Sequence, residues 1–370
     1  LELIVQNLSR LDESNEEDGQ GVYNSMAIVE NLIEINPSVA VIVCERTHLM
    51  KFLLMRLKVK KMDANKLYCS EILSILLQTD IQNQRRLGNL SGIDGIDLLL
   101  QSVSLFRKRD PVNIEEEECI HNLFLCLCNT LMVQENQTRF RLGEGIELMV
   151  RCMKEKKFAS GCAVKVLNYA ILNNKANCER LIDAGGLRLI FPMLLGRVVP
   201  KGEKKKGLKK EFEETIISII SQLCIQLYDS KEKDCSSRLL NKLIENEFEK
   251  LERCVELFIL SSSRLLLLEK AMEEKRLELL ALGEIEELEE IDSEEERYIQ
   301  RLEGGLYNMQ QIAVILAFAC IYDTTSTGSS CISRVQTKLL GEGCSLQKDV
   351  LPVMREWVAN ITTIASNVTK

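Results

Sequence analysis

ENQTRFRLGEGIELMVRCM, residues 135–153, and ANCERLIDAGGLRLIFPML, residues 176–194, are two copies of one unit. Each carries Asn and Arg three apart, Asn136 with Arg139 and Asn177 with Arg180. Nine residues after each Asn comes a Gly, Gly145 or Gly186, and an apolar stretch of helical period follows. QNQRRLGNLSGIDGIDLLLQSV, 82–103, is an earlier copy in which Asn83 and Arg86 keep the spacing and Gly95 comes late. NPSVAVIVCERTHLMKFLLMRL, 36–57, is a looser copy that begins at Asn36. Gly suits such a turn because it tolerates positive φ and close approach.

Another helix precedes each copy: NSMAIVENLIEI, KLYCSEILSILL, NLFLCLCNTLM and GCAVKVLNYAIL. Aligned, they place Asn31, Ser74, Asn129 and Asn168 at one position, 43, 55 and 39 residues apart. The long interval contains an insertion, FRKRDPVNIEEEE, 106–118. A period near 40 made of short helix, Gly turn, second helix and longer third helix predicts armadillo units, which stack because none buries its apolar faces alone. The expected fold is therefore all-α: an armadillo-repeat, right-handed superhelical solenoid with a C-terminal helical region. Stacked third helices would line one groove with the Asn column.

Composition agrees. Apolar residues make up 46% of the 370 and aromatics only 5%, with five Pro and one Trp, which favours helices over sandwiches or barrels. A net charge of −8 gives no electrostatic case for direct nucleic-acid binding and suits basic partners. No apolar run reaches the roughly 18 residues that cross a bilayer, so no membrane is expected; AVILAFACIY, 313–322, comes closest. Fourteen scattered Cys in leucine-rich text read as core residues of a reducing compartment. The start at Leu1, inside an apolar pattern and without Met, is expected to mark a fragment.

Catalytic chemistry is not expected. There is no C-x-x-C, P-loop, H-E-x-x-H or G-x-S-x-G, and His48 and His121 are the only histidines. Cys119, His121, Cys126 and Cys128 look like a metal cluster, but residues two apart on a helix point about 200° away from one another. No cofactor, metal or catalytic residue is assigned.

VQNLSRLDES, AIVENLIE, DANKLYCSEILSILLQ, GEGIELM, GLRLIFPM, SRLLNKLIENEFEKLERCVELF and QRLEGGLYNMQQIA occur in this order between Leu1 and Trp357. Together they resemble the beta-catenin-like armadillo family of the spliceosome. That resemblance implies a non-enzymatic nuclear scaffold for pre-mRNA splicing complexes that binds Lys/Arg-rich, nuclear-localisation-type segments. The implied partners are the NineTeen complex, a Myb-like cell-division-cycle splicing factor and, in vertebrates, the antibody-diversifying cytidine deaminase. It also implies a helical cap and import signal upstream of Leu1, and self-association through C-terminal helices, so a homodimer.

The candidate groove residues are Asn31, Glu34, Glu71, Ser74, Asn129 and Asn168. An Asn amide pairs with a main-chain N–H and C=O together. Glu34, three after Asn31, and Glu71, three before Ser74, would hold ligand Lys and Arg. Glu30 would reach the rim. Import receptors set a Trp four residues before each such Asn; here those positions are Ala27, Ser70, Leu125 and Val164, so acidic residues must carry more of the affinity. The alternatives are a cytosolic armadillo adaptor and an import-receptor-like cargo binder. The expected organisation is armadillo repeats at 1–199, a lysine-rich loop at 200–210, further armadillo-type helices at 211–282, an acidic segment at 283–296 and a C-terminal helical repeat or cap at 297–370. The lysine-rich run, PKGEKKKGLKK, could fold back on the acidic groove.

Overall fold

The computed structural model describes residues 1–90, 92–201, 206–228, 233–283, 293–321 and 330–368, and these residues contain helices but no strand. The fold is all-α. It divides into two units: Leu1–Leu189 with Val198–Thr215, and Ile190–Arg197 with Ile216–Lys370.

In the first unit the repeat becomes three stacks of helices. The third helices are α2 (Glu16–Ile35), α5 (Ala64–Thr79), α8 (Ile114–Thr130) and α11 (Ala159–Ile171), and each packs on the next. The first helices, α3 (Ser38–Arg46), α6 (Ile81–Gly88), α9 (Gln134–Leu142) and α12 (Lys175–Asp183), do the same. So do the second helices α4 (Leu49–Leu57), α7 (Gly95–Ser104) and α10 (Gly145–Glu155); α13 (Leu187–Leu194) is the second helix of the last copy. A short α1 (Glu2–Leu8) lies against α2. Polar residues start the long helices: Asn15, Asp63 and Asn113 cap α2, α5 and α8 by accepting from backbone N–H groups of the first turn.

The Asn of the repeat is a structural residue. Asn83 Nδ2 donates to Ala40 O (3.1 Å) and Leu76 O (2.9 Å). Asn136 Nδ2 donates to Gln84 O (2.8 Å) and Thr130 O (3.1 Å). Asn177 Nδ2 donates to Gln137 O (3.2 Å) and Ala170 O (2.6 Å). All three side chains are buried. Each amide therefore satisfies a carbonyl near the end of a third helix, which lacks an intrahelical partner, and a carbonyl of the preceding first helix. The bond to Ala40 shows that Val39 holds this register in the first copy. Asn36 stands three residues earlier, level with the caps Asp80 and Asn174, and its Oδ1 accepts from Ser38 N (3.1 Å).

The Gly turn separates two requirements that the sequence reading joins. A Cβ on Gly145 would lie 2.6 Å from the Phe140 ring, and one on Gly186 would lie 2.5 Å from the Leu181 side chain. These glycines permit close packing. The left-handed residue is the preceding one, Glu144 (φ 59°) or Gly185 (φ 83°).

The 106–118 insertion is anchored by charge. Glu116 accepts from Arg109 Nη1 (2.8 Å) and Nη2 (2.6 Å) and from Val112 N (2.9 Å). Asp110 accepts from Lys201 Nζ (2.9 Å), Phe158 N (3.0 Å) and Lys157 Nζ (3.3 Å), and the Lys201 bond above all holds its carboxyl down to about 2. Of the lysine-rich run, residues 202–205 lie outside the described residues, and α14 (Lys206–Leu227) already includes 206–210, which the sequence reading places in a loop. Lys210 pairs with Glu214 one turn on.

The second unit is organised around α16 (Glu249–Leu282), preceded by α15 (Lys233–Ile244). Most of the acidic segment at 283–296 lies outside the described residues; α17 (Glu294–Arg301) begins at its end. A π-turn, Leu302–Leu306, leads into α18 (Tyr307–Ile321), and both pack on α16. Gly305 has φ 137°, and a Cβ there would sit 2.8 Å from Ser261 O of α16. Arg301 ties the elements together through Glu269 (2.9 Å) and Glu356 (2.6 Å), the latter on α20 (Leu351–Val368). α19 (Cys331–Gly341) also packs on α16.

Taken together, α17, the π-turn and α18 (Glu294–Ile321) form the one stretch among the described residues that is long and apolar enough by composition to cross a bilayer, which a count of unbroken apolar runs passes over. Its apolar window is 72% buried, which is the pattern of a core helix.

The turn chemistry makes a direct prediction. Glu144→Gly relieves a left-handed backbone and raises stability by about 1 kcal/mol. Gly145→Ala forces Phe140 aside and lowers it by about 1–3 kcal/mol. Urea unfolding followed by circular dichroism reads both.

Candidate peptide-binding face

Charge is segregated among the stacks. The third helices α2, α5, α8 and α11 carry ten acidic residues and two basic ones. The first helices carry seven basic and four acidic. The chain's net −8 is thus matched by its third helices alone. One of their two cations, Lys66, is buried, donates to Val59 O (2.5 Å), and has its pKa lowered by burial.

Three carboxylates meet where α2, α5 and α8 pack. Glu71 is half-buried, and its pKa is raised by desolvation first and then by Glu118 and Glu30. Glu30 accepts a short hydrogen bond from the Tyr68 hydroxyl, whose pKa is raised by burial and by that carboxylate. Tyr68 faces Tyr23 with ring centroids 4.9 Å apart, and Tyr23 is 41% exposed. An exposed phenol face beside uncompensated carboxylates suits an ammonium or guanidinium group. Sequence reasoning missed both tyrosines because it looked for aromatics only at the import-receptor Trp positions. Their scarcity in this chain was the available signal.

The predicted residues have different fates. Glu71 lies on the open line of α5, with Leu67, Ile75 and Gln78. Ser74 does not: it is 5% exposed and belongs to the core side, because the packing of α8 on α5 covers it. Glu34 is exposed on α2, but the acidic neighbours that perturb Glu71 are Glu118 and Glu30. Asn31 is exposed, and its Nδ2 donates back to Ala27 O of its own helix (2.8 Å).

Asn129 and Asn168 are half-buried on the adjacent helices α8 and α11. Asn129 Nδ2 and Asn168 Oδ1 are buried without a hydrogen-bond partner. One amide has an unused donor and the other an unused acceptor, both out of reach of solvent, as is Asn177 Oδ1. Of the Trp-equivalent positions, Ser70 and Val164 are buried and Ala27 is half-buried, so only Leu125 is exposed.

The thiols of α8 are core residues. Cys119, Cys126 and Cys128 are buried, and burial pushes Cys128 up to about 12. His121 packs edge-on against Phe158 at 5.0 Å, and burial lowers its pKa. No group of three potential ligands occurs among the described residues.

Comparison with known proteins adds the family context. The model of a family described as catenin-beta-like, Arm-motif containing nuclear matches residues 1–354. Beta-catenin-like protein 1 of Homo sapiens and that of Mus musculus are each 40% identical over 363 residues, 97% of this chain and 61% of theirs. The Beta-catenin-like protein 1 homolog of Schizosaccharomyces pombe is 32% identical over 335 residues, 88% of this chain and 54% of its own. The chain thus spans about three-fifths of the length of the mammalian relatives it matches.

The two classes of Asn are expected to behave oppositely. Asn136→Ala removes two buried hydrogen bonds that join neighbouring elements and costs about 2 kcal/mol, whereas Asn129→Ala removes an amide whose donor is already unpaired and changes stability by less than about 0.5 kcal/mol. Thermal and urea unfolding of the two variants distinguish them.

Proposed function

The chain belongs to the catenin-beta-like, Arm-motif containing nuclear family, and from that premise we propose that its third-helix face binds Lys/Arg-rich, nuclear-localisation-type segments of splicing factors. A protein-interaction scaffold is what the Arm-motif solenoid provides. The finer reading places it in nuclear pre-mRNA splicing complexes, with the Myb-like splicing factor and the NineTeen complex as partners. An import signal upstream of Leu1 belongs to the same reading, as does the deaminase partner in vertebrates.

The observation that carries this reading is the cost the fold bears at Glu71. A half-buried carboxylate facing Glu118 and Glu30 opposes folding, because desolvation and like charge both disfavour its ionised form. A ligand cation relieves both effects. Tyr23 supplies a ring face beside it. Without Trp at the import-receptor positions, affinity depends on charge and falls steeply with salt.

The sign of the pH effect follows. The folded pKa of Glu71 lies above its ordinary 4.5, so its unfavourable contribution is full above the folded value and is relieved as pH falls toward 4.5. A bound cation favours the ionised form, so binding releases a proton and weakens across the same window. Glu71→Gln is therefore expected to leave the melting temperature equal or higher while weakening a fluorescein-labelled Lys/Arg peptide about tenfold at low salt. Charge reversal, Glu71→Lys with Glu34→Lys, abolishes binding. Fluorescence anisotropy at two salt concentrations tests this; undiminished affinity in the reversed variant rules the site out.

A further inference from the structure

The third-helix face changes character along the stack. Its acidic part spans α2, α5 and the start of α8, whereas the end of α8 and α11 present apolar groups. Leu125 is 42% exposed, Met132 60%, Tyr169 37% and Leu172 41%. Leu125 on α8 and Met132 just past its end are seven residues apart, and Gln137 Nε2, within reach of Leu131 O (3.1 Å), Tyr169 O (3.1 Å) and Leu172 O (3.2 Å), ties the end of α8 to the end of α11. Asn129 and Asn168, with their unpaired amide atoms, lie among them. Lys165, on the same helix as Tyr169, is paired with Glu211 (2.8 Å). Charge is therefore largely absent from this strip, and a purely basic segment leaves it uncovered.

We propose that the ligand is a two-part segment of a partner protein: a Lys/Arg cluster seated at Glu30, Glu71 and Glu118, followed or preceded by Leu, Met or Phe side chains that dock on the strip of Leu125, Met132, Tyr169 and Leu172. Asn129 and Asn168 lie beside the apolar part of the segment. The inference rests on the basic-segment reading and adds the apolar anchor. Packed helices stand about 10 Å apart, and an extended chain covers about 3.3 Å per residue. The acidic cluster and the strip are one to two helix spacings apart, so the anchor falls about three to six residues from the nearest ligand cation.

Three labelled peptides test it with the whole chain: a Lys/Arg cluster alone, and the same cluster with a Leu-Phe pair four residues beyond either end. One anchored peptide is expected to bind at least tenfold tighter than the cluster alone. Leu125→Glu with Leu172→Glu, both at exposed positions, should return it to the affinity of the cluster alone without changing the melting temperature. Equal affinity of all three peptides, or an anchored peptide unaffected by the double variant, overturns the anchor while leaving the basic-segment reading intact. If no peptide binds, both readings fall together. Light scattering of the free chain completes the test: a dimer dissolved by the double variant assigns the strip to a second copy and overturns the proposal.

Discussion

A buried carboxamide holds the repeat array of the first unit together. Asn83, Asn136 and Asn177 each donate both amide hydrogens to carbonyls of two different elements, one ending a third helix and one in the preceding first helix. Apolar stacking alone is non-directional and leaves neighbouring units free to slide. Two hydrogen bonds per junction, in a place where an unmet carbonyl is expensive, select one register. The alignment of the third helices, and hence of everything on their open face, depends on it.

That face is built against the grain of stability. Glu71 is desolvated beside Glu118 and Glu30, and Asn129 and Asn168 keep buried amide atoms unpaired. The insertion, by contrast, pairs its carboxylates Glu116 and Asp110 fully, although Arg56 Nη1, Gln84 Oε1 and Asn177 Oδ1 are also buried without a partner. The like-charge cluster around Glu71 is what sets this surface apart from the rest of the unit. Charge is segregated in the same unit, acidic on third helices and more basic on first helices.

The helical repeat was legible because its marks are local: Asn and Arg three apart, a Gly nine residues on, and apolar residues at helical spacing. The roles within those marks were not. Gly145 looks like a residue chosen for its φ, yet the left-handed conformation belongs to Glu144, and Gly145 yields space to Phe140. Ser74 shares a column with three asparagines in the alignment, yet the packing of α8 on α5 buries it. Tyr23 and Tyr68 lie 45 residues apart and become a pair only when α2 stacks on α5.

By itself, then, the sequence determined the helices, their period, the excess of negative charge and eleven of the fourteen cysteines as core residues, Cys44, Cys320 and Cys344 being half-buried, because each follows from residue type and short-range spacing. Tertiary structure alone decided which Asn donate to the backbone of neighbouring units, since that depends on carbonyls those units supply. It likewise decided that the Glu71 carboxylate is perturbed, because like charge arrives from Glu30 and Glu118 on helices more than 30 residues away in the chain.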